Sequence, residues 1–202
     1  MTLLPRLYAI ADASFGDPAG LAQRLFDGGA RFIQVRNKNA GPREFFEQVE
    51  RIVKDAPRDA TVIVNDRADI ARITGAGGVH LGQSDLGVSE ARRILAEDQI
   101  IGFSTHNFEQ ALAAGTLPAD YIAVGPIFPT STKLNVEPVV GLEALAEICA
   151  SVQKPVVAIG GINLENAARV LAAGAAAVAV ISDVLSAPDV GARVREWIEV
   201  LS

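Results

Sequence analysis

Cysteine is almost absent from this sequence: Cys149 is the only one in 202 residues. That excludes an internal disulfide framework and any metal site built from several thiolates. Its neighbours Leu142, Leu145 and Ile148 recur at helical spacing, so Cys149 reads as a small filler on an apolar helix face. Basic residues are in deficit, 18 Lys and Arg against 24 Asp and Glu, for a formal net charge of −6. Without a basic excess the chain is a poor general partner for nucleic acid or an anionic membrane. It can still bind an anionic small molecule if a metal ion and a few cationic side chains gather in one place. Long hydrophobic runs are missing too. The most apolar stretch, residues 170–181, contains Gly174, is too short to span a bilayer and runs into Ser182-Asp183. The opening MTLLPRLYAIAD lacks the basic start, long apolar core and small-residue cleavage site of a secretory leader. The expectation is a soluble, cytoplasmic protein. No linker, low-complexity segment or charge block marks a boundary, so residues 1–202 are expected to form one domain.

What is present is an alternation of short Val/Ile-rich runs with longer helical patterns. The runs lie at 7–12, 32–37, 61–66, 78–82, 100–105, 121–125, 155–160 and 177–182. Their hydrophobicity is continuous rather than alternating, as in parallel strands covered on both faces. Helix starts are marked by Asp17-Pro18, by Pro42 and by Asn163. After Pro42, residues Phe45, Phe46, Val49, Ile52 and Val53 form an apolar stripe. Gly28-Gly29, Gly75 and Gly174 precede strands, where glycine can take the left-handed conformation that ends a helix. Eight β-then-α units predict an α/β fold, a single (β/α)8 TIM barrel. The alternative is a doubly wound open sheet, but IADASFGD carries no G-x-G-x-x-G turn after the first strand.

Barrel enzymes work at the C-terminal ends of their strands, so candidate chemistry belongs at the strand exits. Polar and glycine residues accumulate there: Asp12; Gln34, Arg36 and Lys38; Asn65, Asp66 and Arg67; Gln83 and Asp85; Ser104 and His106; GPIFPTSTK at 125–133; Gly160-Gly161; Ser182-Asp183. Gln34, Arg36 and Lys38, two apart, face one side of an extended segment and suit a multiply charged anion. The same three residues could instead be a polar strand end pairing with nearby carboxylates. Asp66 and Asp85 end neighbouring strands and offer the oxygen ligands that Mg²⁺ prefers. Helix N-capping would explain both equally well. The hydroxyls of Thr130, Ser131 and Thr132, followed by Lys133, could cradle a phosphate. Gly160-Gly161 and Ser182 sit where barrels commonly bind phosphate, after the seventh and eighth strands. His80, inside an apolar strand, reads as a satisfied core histidine, whereas His106 lies nearer the rim. No nucleophile–base triad stands out.

Together the segments QVRNK at 34–38, NDR at 65–67, GVHLGQSD at 78–85, GFSTH at 102–106, DYIAVGPIFPTSTK at 120–133 and AIGGIN at 158–163 resemble the thiamine-phosphate synthase family. The match runs from about residue 7 to the C-terminus. The resemblance implies a β/α barrel transferase of thiamine biosynthesis. Such an enzyme joins hydroxymethylpyrimidine pyrophosphate to thiazole phosphate and releases pyrophosphate. It implies that Gln34, Arg36, Lys38, Asn65, Ser104 and Lys133 meet the pyrimidine pyrophosphate, with Arg36, Lys38 and Lys133 catalytic. It implies Mg²⁺ on Asp66 and Asp85, and thiazole phosphate at Thr130, Ser131, Thr132, Gly161, Ile181 and Ser182. Its partners are the two small-molecule substrates; a homo-oligomer is compatible with it. Two departures bear on the pocket: Phe103 stands where a smaller apolar residue is usual, and LNVEPVV after Lys133 follows the family pattern loosely. Two rivals are a thiazole tautomerase of the same superfamily and a non-catalytic, phosphate-binding regulatory relative. The tautomerase characteristically carries histidine where Pro126 stands here, and it has no pyrophosphate to handle.

Overall fold

The computed structural model describes residues 4–130 and 137–202. Eight strands run in the order of the sequence: β1 (Leu7–Asp12), β2 (Phe32–Arg36), β3 (Thr61–Asn65), β4 (Gly78–Leu81), β5 (Ile100–Thr105), β6 (Tyr121–Val124), β7 (Val156–Ile159) and β8 (Ala177–Val180). Each pairs in parallel with the next, and β8 pairs with β1 through Leu7–Val178, Tyr8–Ala179 and Ala9–Val180. The sheet is therefore closed, which excludes the open doubly wound alternative and confirms the (β/α)8 barrel. The expected runs overshoot most strand ends by one or two residues, because those last residues already turn outward at the rim.

The helices are α1 (Pro18–Asp27), α2 (Pro42–Asp55), α3 (Ala68–Thr74), α4 (Val88–Ile94), α5 (Phe108–Gly115), α6 (Gly141–Ser151), α7 (Ala167–Ala172), α8 (Ser182–Leu185) and α9 (Val190–Val200). Among the described residues no helix is long and apolar enough to cross a membrane. Asp17 caps α1 by accepting from the Gly20 N–H at 2.9 Å, as its sequence position predicts. Asn163 does not itself open α7. Its side chain accepts from the Glu165 and Asn166 N–H groups, making a turn that delays the helix to Ala167. On α2, Phe45, Val49 and Ile52 are buried, with Phe46 and Val53 partly buried beside them. Cys149 is partly buried beneath Gly174, and burial pushes its thiol up to about 11. It is a packing residue with little thiolate at neutral pH.

Register partners on adjacent strands share a face, so the pairing identifies the barrel interior. Asn65 pairs with His80, His80 with Gly102, and Gly102 with Tyr121. Ser104 lies two residues on from Gly102 and turns inward as well. Phe103, between them, faces outward with its partners Leu81 and Ile122. Its bulk therefore bears on the layer between barrel and helices rather than on the pocket.

Gly78 shows how tightly the strands are held. A Cβ there would lie 2.1 Å from the Ile100 carbonyl oxygen, a backbone atom that cannot swing aside. Gly20, in the first turn of α1, would meet nothing closer than 3.5 Å. Gly78→Ala should accordingly destabilise by about 3 kcal/mol, the scale of overpacking a tight core. Gly20→Ala should stabilise by about 0.5–1 kcal/mol through helix propensity. Urea denaturation of the two variants tests the contrast, and equal midpoints would contradict this packing.

Candidate active site

The rim at the strand C-termini is assembled from neighbouring exits. Asp12 and Arg36 are register partners on β1 and β2, and their side chains form an ion pair. Asp12 is almost fully buried and also accepts from the Ser14 N–H and hydroxyl at 2.9 and 2.8 Å. The guanidinium of Arg36 is thus aimed by a carboxylate that is itself fixed. Lys38, just beyond β2, pairs with Asp66 at the exit of β3. The pairing of a polar strand end with carboxylates is therefore realised for both cations. Gln34 is one layer deeper, buried, with its Nε2 donating to the Tyr8 hydroxyl at 2.8 Å.

Asp66 has φ of 62°, the only positive φ at a non-glycine among the described residues. Such a conformation is unfavourable for a side chain with a Cβ and recurs at functional sites. The Asp66 N–H donates to the His80 carbonyl on β4 at 2.8 Å, holding the turn in place. The result is to present its carboxylate toward Asp85, whose side chain accepts from the Gly82 N–H at 2.7 Å. Burial raises the Asp66 pKa; the Lys38 ammonium opposes that rise, and the neighbouring Asp85 adds to it. Neither aspartate caps a helix. The residues flanking α3 and α4 are Arg67 and Gly87, with no side-chain cap at either. Arg67 turns away from the pocket onto Asp69, whose carboxyl it holds below its usual range. Among the described residues no three His, Cys, Asp or Glu side chains converge as a metal cage. Two carboxylates held close together, one unfavourably buried, remain a donor pair that gains from a cation.

On the opposite side the loop after β6 is fastened to β7. The Ile127 and Phe128 N–H groups donate to the Ile159 and Gly160 carbonyls, both at 3.0 Å, and the Val140 N–H donates to the Pro126 carbonyl at 2.8 Å. These bonds fix both bases of the segment that includes Thr130. Ser131, Thr132 and Lys133 lie outside the described residues. Gly161 has φ of 65°, and a Cβ there would stand 2.6 Å from the Pro129 carbonyl oxygen, so only glycine fits beneath the loop. Ile181 is buried at the end of β8, and Ser182 starts α8. His106 lies with Nδ1 2.7 Å from the Gly125 carbonyl oxygen, which orients its ring against the start of the same loop.

The family described as thiamine monophosphate synthase matches residues 7–184. The chain belongs to this family. Two thiamine-phosphate synthases among its relatives come from Koribacter versatilis and Anaeromyxobacter dehalogenans. The first is 43% identical over 98% of this chain and 96% of that protein, the second 48% identical over 91% and 82%. The structure of a thiamine phosphate pyrophosphorylase from Pyrococcus furiosus is 39% identical, with a TM-score of 0.86 over 97% of this chain and 95% of that one.

Two residues beneath this rim escaped the sequence reading, Tyr8 and Tyr121. They are the only tyrosines in the chain, and both are completely buried within the barrel. Their hydroxyls share a hydrogen bond of 2.9 Å, and Tyr121 reaches His80 Nδ1 at 3.0 Å. A usable signal was present: a phenol in an otherwise apolar strand needs a partner inside the core. Gly102 makes the room, since a Cβ there would fall 2.0 Å from the Tyr121 ring. His80 is hydrogen-bonded through both ring nitrogens, as a satisfied core histidine would be.

Burial raises both tyrosine pKa values above the ordinary 10. The folded protein then retains protons that the unfolded chain releases. Stability should be full below pH 10 and decline above it, by about 1.4 kcal/mol per pH unit for each tyrosine. Absorbance at 295 nm should show no phenolate in folded protein at pH 11, and tyrosinate only as the near-ultraviolet dichroism collapses. A phenolate titrating near 10 in intact protein would contradict the burial of the pair.

Proposed function

We propose that this chain is a thiamine-phosphate synthase, a transferase that joins hydroxymethylpyrimidine pyrophosphate to thiazole phosphate. The observation that carries the reading is the grouping of Asp66, Asp85, Arg36 and Lys38 on one rim of a barrel of this family. Small anionic substrates suit a rim that brings Arg36 and Lys38 together. A single barrel domain and a soluble, cytoplasmic location fit this role.

The donor set fits Mg²⁺, which takes carboxylate oxygens together with substrate phosphate oxygens and water. Asp66 and Asp85 are the residues that would hold it, and when bound it would supply positive charge to the pyrophosphate oxygens. The remaining work falls to side chains of this protein. Arg36, steadied by Asp12, and Lys38, exchanged from Asp66 to the incoming anion, would bind the pyrophosphate. As the pyrimidine–oxygen bond breaks, negative charge grows on that leaving group, so these contacts strengthen toward the transition state. Asn65 and Ser104 would meet the pyrimidine. Thr130, Gly161, Ile181 and Ser182 would line the thiazole phosphate, and Ser131, Thr132 and Lys133, outside the described residues, complete the assignment as contacts to the two anions. No nucleophile from the protein is required: the electrons for the new bond come from the thiazole nitrogen.

Purified protein mixed with both substrates and Mg²⁺ should yield thiamine phosphate by mass spectrometry, and EDTA should abolish it. Asp66→Asn or Asp85→Asn should lower kcat/KM about a hundredfold, equivalent to about 3 kcal/mol. Parental turnover by either variant in EDTA would reject the assignment of the metal. Ser182→Ala should raise the KM for thiazole phosphate about tenfold while leaving that for the pyrimidine pyrophosphate unchanged, the effect of one hydrogen bond to an anion. Unaltered KM values would remove Ser182 from that phosphate site.

A further inference from the structure

Five inward side chains from five strands form one continuous run of hydrogen bonds across the barrel. Gln34 Nε2 lies 2.8 Å from the Tyr8 hydroxyl, which lies 2.9 Å from that of Tyr121. The Tyr121 hydroxyl lies 3.0 Å from His80 Nδ1, and His80 Nε2 lies 2.8 Å from the Ser104 hydroxyl. Each phenol carries one proton, and a neutral imidazole carries one N–H. Along this run the direction of any one bond therefore dictates the rest. With Gln34 donating to Tyr8, Tyr8 must donate to Tyr121 and Tyr121 to His80 Nδ1. The imidazole proton is then on Nε2, donated to Ser104, and the Ser104 proton is left to point at whatever fills the pocket. The opposite direction requires every member to reverse at once, with the Gln34 amide turned over and the imidazole proton on Nδ1. A reversal of direction within the run would oppose two protons or two lone pairs in a buried place, an arrangement that is strongly disfavoured.

We infer that Tyr8, Tyr121 and His80 are positioning residues that couple the orientation of the Gln34 amide to the polarity of the Ser104 hydroxyl. They hold Ser104 as a donor and Gln34 as an acceptor toward the substrate ring. Gln34 Oε1 has no protein partner among the described residues, yet no fully buried side-chain oxygen or nitrogen among them lacks one. The carbonyl end of the amide therefore opens into the pocket. A ring complementary to this polarity offers an acceptor nitrogen to Ser104 and an N–H donor to Gln34. An aminopyrimidine edge has both, whereas in the oxo analogue the amino donor becomes an acceptor and the adjacent nitrogen carries hydrogen. The wire thus selects amino over oxo rings. The identity of the ring rests on the synthase reading, but the direction of the wire does not.

The direction can be read without turnover. The protein has only two histidines, and His106 Nδ1 faces a carbonyl oxygen, so its ring carries the proton on Nδ1. Two-bond ¹⁵N–¹H correlation spectra at pH 8, assigned with His106→Gln, should show His80 as the opposite, Nε2-protonated tautomer. An Nδ1-protonated His80 would overturn the inferred direction. The coupling is tested kinetically with Tyr121→Phe, which removes one link and keeps the ring. Its preference for aminopyrimidine over oxopyrimidine pyrophosphate, as a ratio of kcat/KM, should fall about tenfold with the KM for thiazole phosphate unchanged. His80→Gln, which keeps a donor toward Ser104, should retain more of that preference than His80→Leu. A Tyr121→Phe protein with lower thermal stability but an unchanged ratio would reduce the run to a structural role and overturn the proposal. If the parent turned over neither ring, the synthase reading would fail, while the histidine tautomer would still decide the direction of the wire.

Discussion

Closure of the parallel sheet is the constraint on which everything else rests. Once β8 pairs with β1, all eight strands end on one rim, and residues remote in sequence become neighbours. Asp12 meets Arg36 because β1 and β2 are in register at that level. Asp66 is carried to Asp85 because its N–H is tied to the carbonyl of His80 on β4. The loop after β6 is set over Gly160-Gly161 by backbone bonds to β7. Each of these contacts is local once the barrel is closed.

Two kinds of polar construction follow, at two depths. At the rim, side chains are paired but partly exposed, Lys38 by half and Asp66 by about a fifth. Ion pairs of that exposure contribute little stability and exchange partners readily, which suits groups that must let an anion in. Beneath them Gln34, Tyr8, Tyr121 and His80 are buried and hydrogen-bonded in series, with the partly buried Ser104 at the end of the run. Buried hydrogen-bonded networks are rigid, so the deeper layer can hold its two open ends in place while the upper layer exchanges its ions. Gly102 is the residue that allows Tyr121 and His80 to meet, and its small size is a packing requirement rather than a matter of backbone freedom.

The barrel was legible in the sequence because its signal is periodic and local. Continuous Val/Ile runs recur eight times, with glycine endings before three of them, and the strand exits collected Arg36, Lys38, Asp66 and Asp85 without any knowledge of pairing. Residue type and spacing could not decide what those groups touch. Helix capping and metal binding were equally open for Asp66 and Asp85, and the structure removes the first, since Arg67 and Gly87 rather than the aspartates flank α3 and α4. The Tyr8–Tyr121 contact joins residues 113 apart in sequence, so a local pattern can signal that each phenol needs a partner but not which one it finds. Phe103 misled for a related reason. Whether an odd residue in a strand concerns the pocket depends on which face it occupies, and the register places it outward.

The central claim is that one rim binds pyrophosphate and a divalent cation together, with Asp66 and Asp85 on the cation and Arg36 and Lys38 on the anion. Calorimetric titration of inorganic pyrophosphate, with and without Mg²⁺, tests it most directly. Pyrophosphate should bind at least about tenfold more tightly when Mg²⁺ is present, a coupling of about 1.4 kcal/mol, and Asp85→Asn should remove that difference. Equal affinity in the presence and absence of Mg²⁺, or a Mg²⁺ effect that survives Asp85→Asn, would contradict the claim.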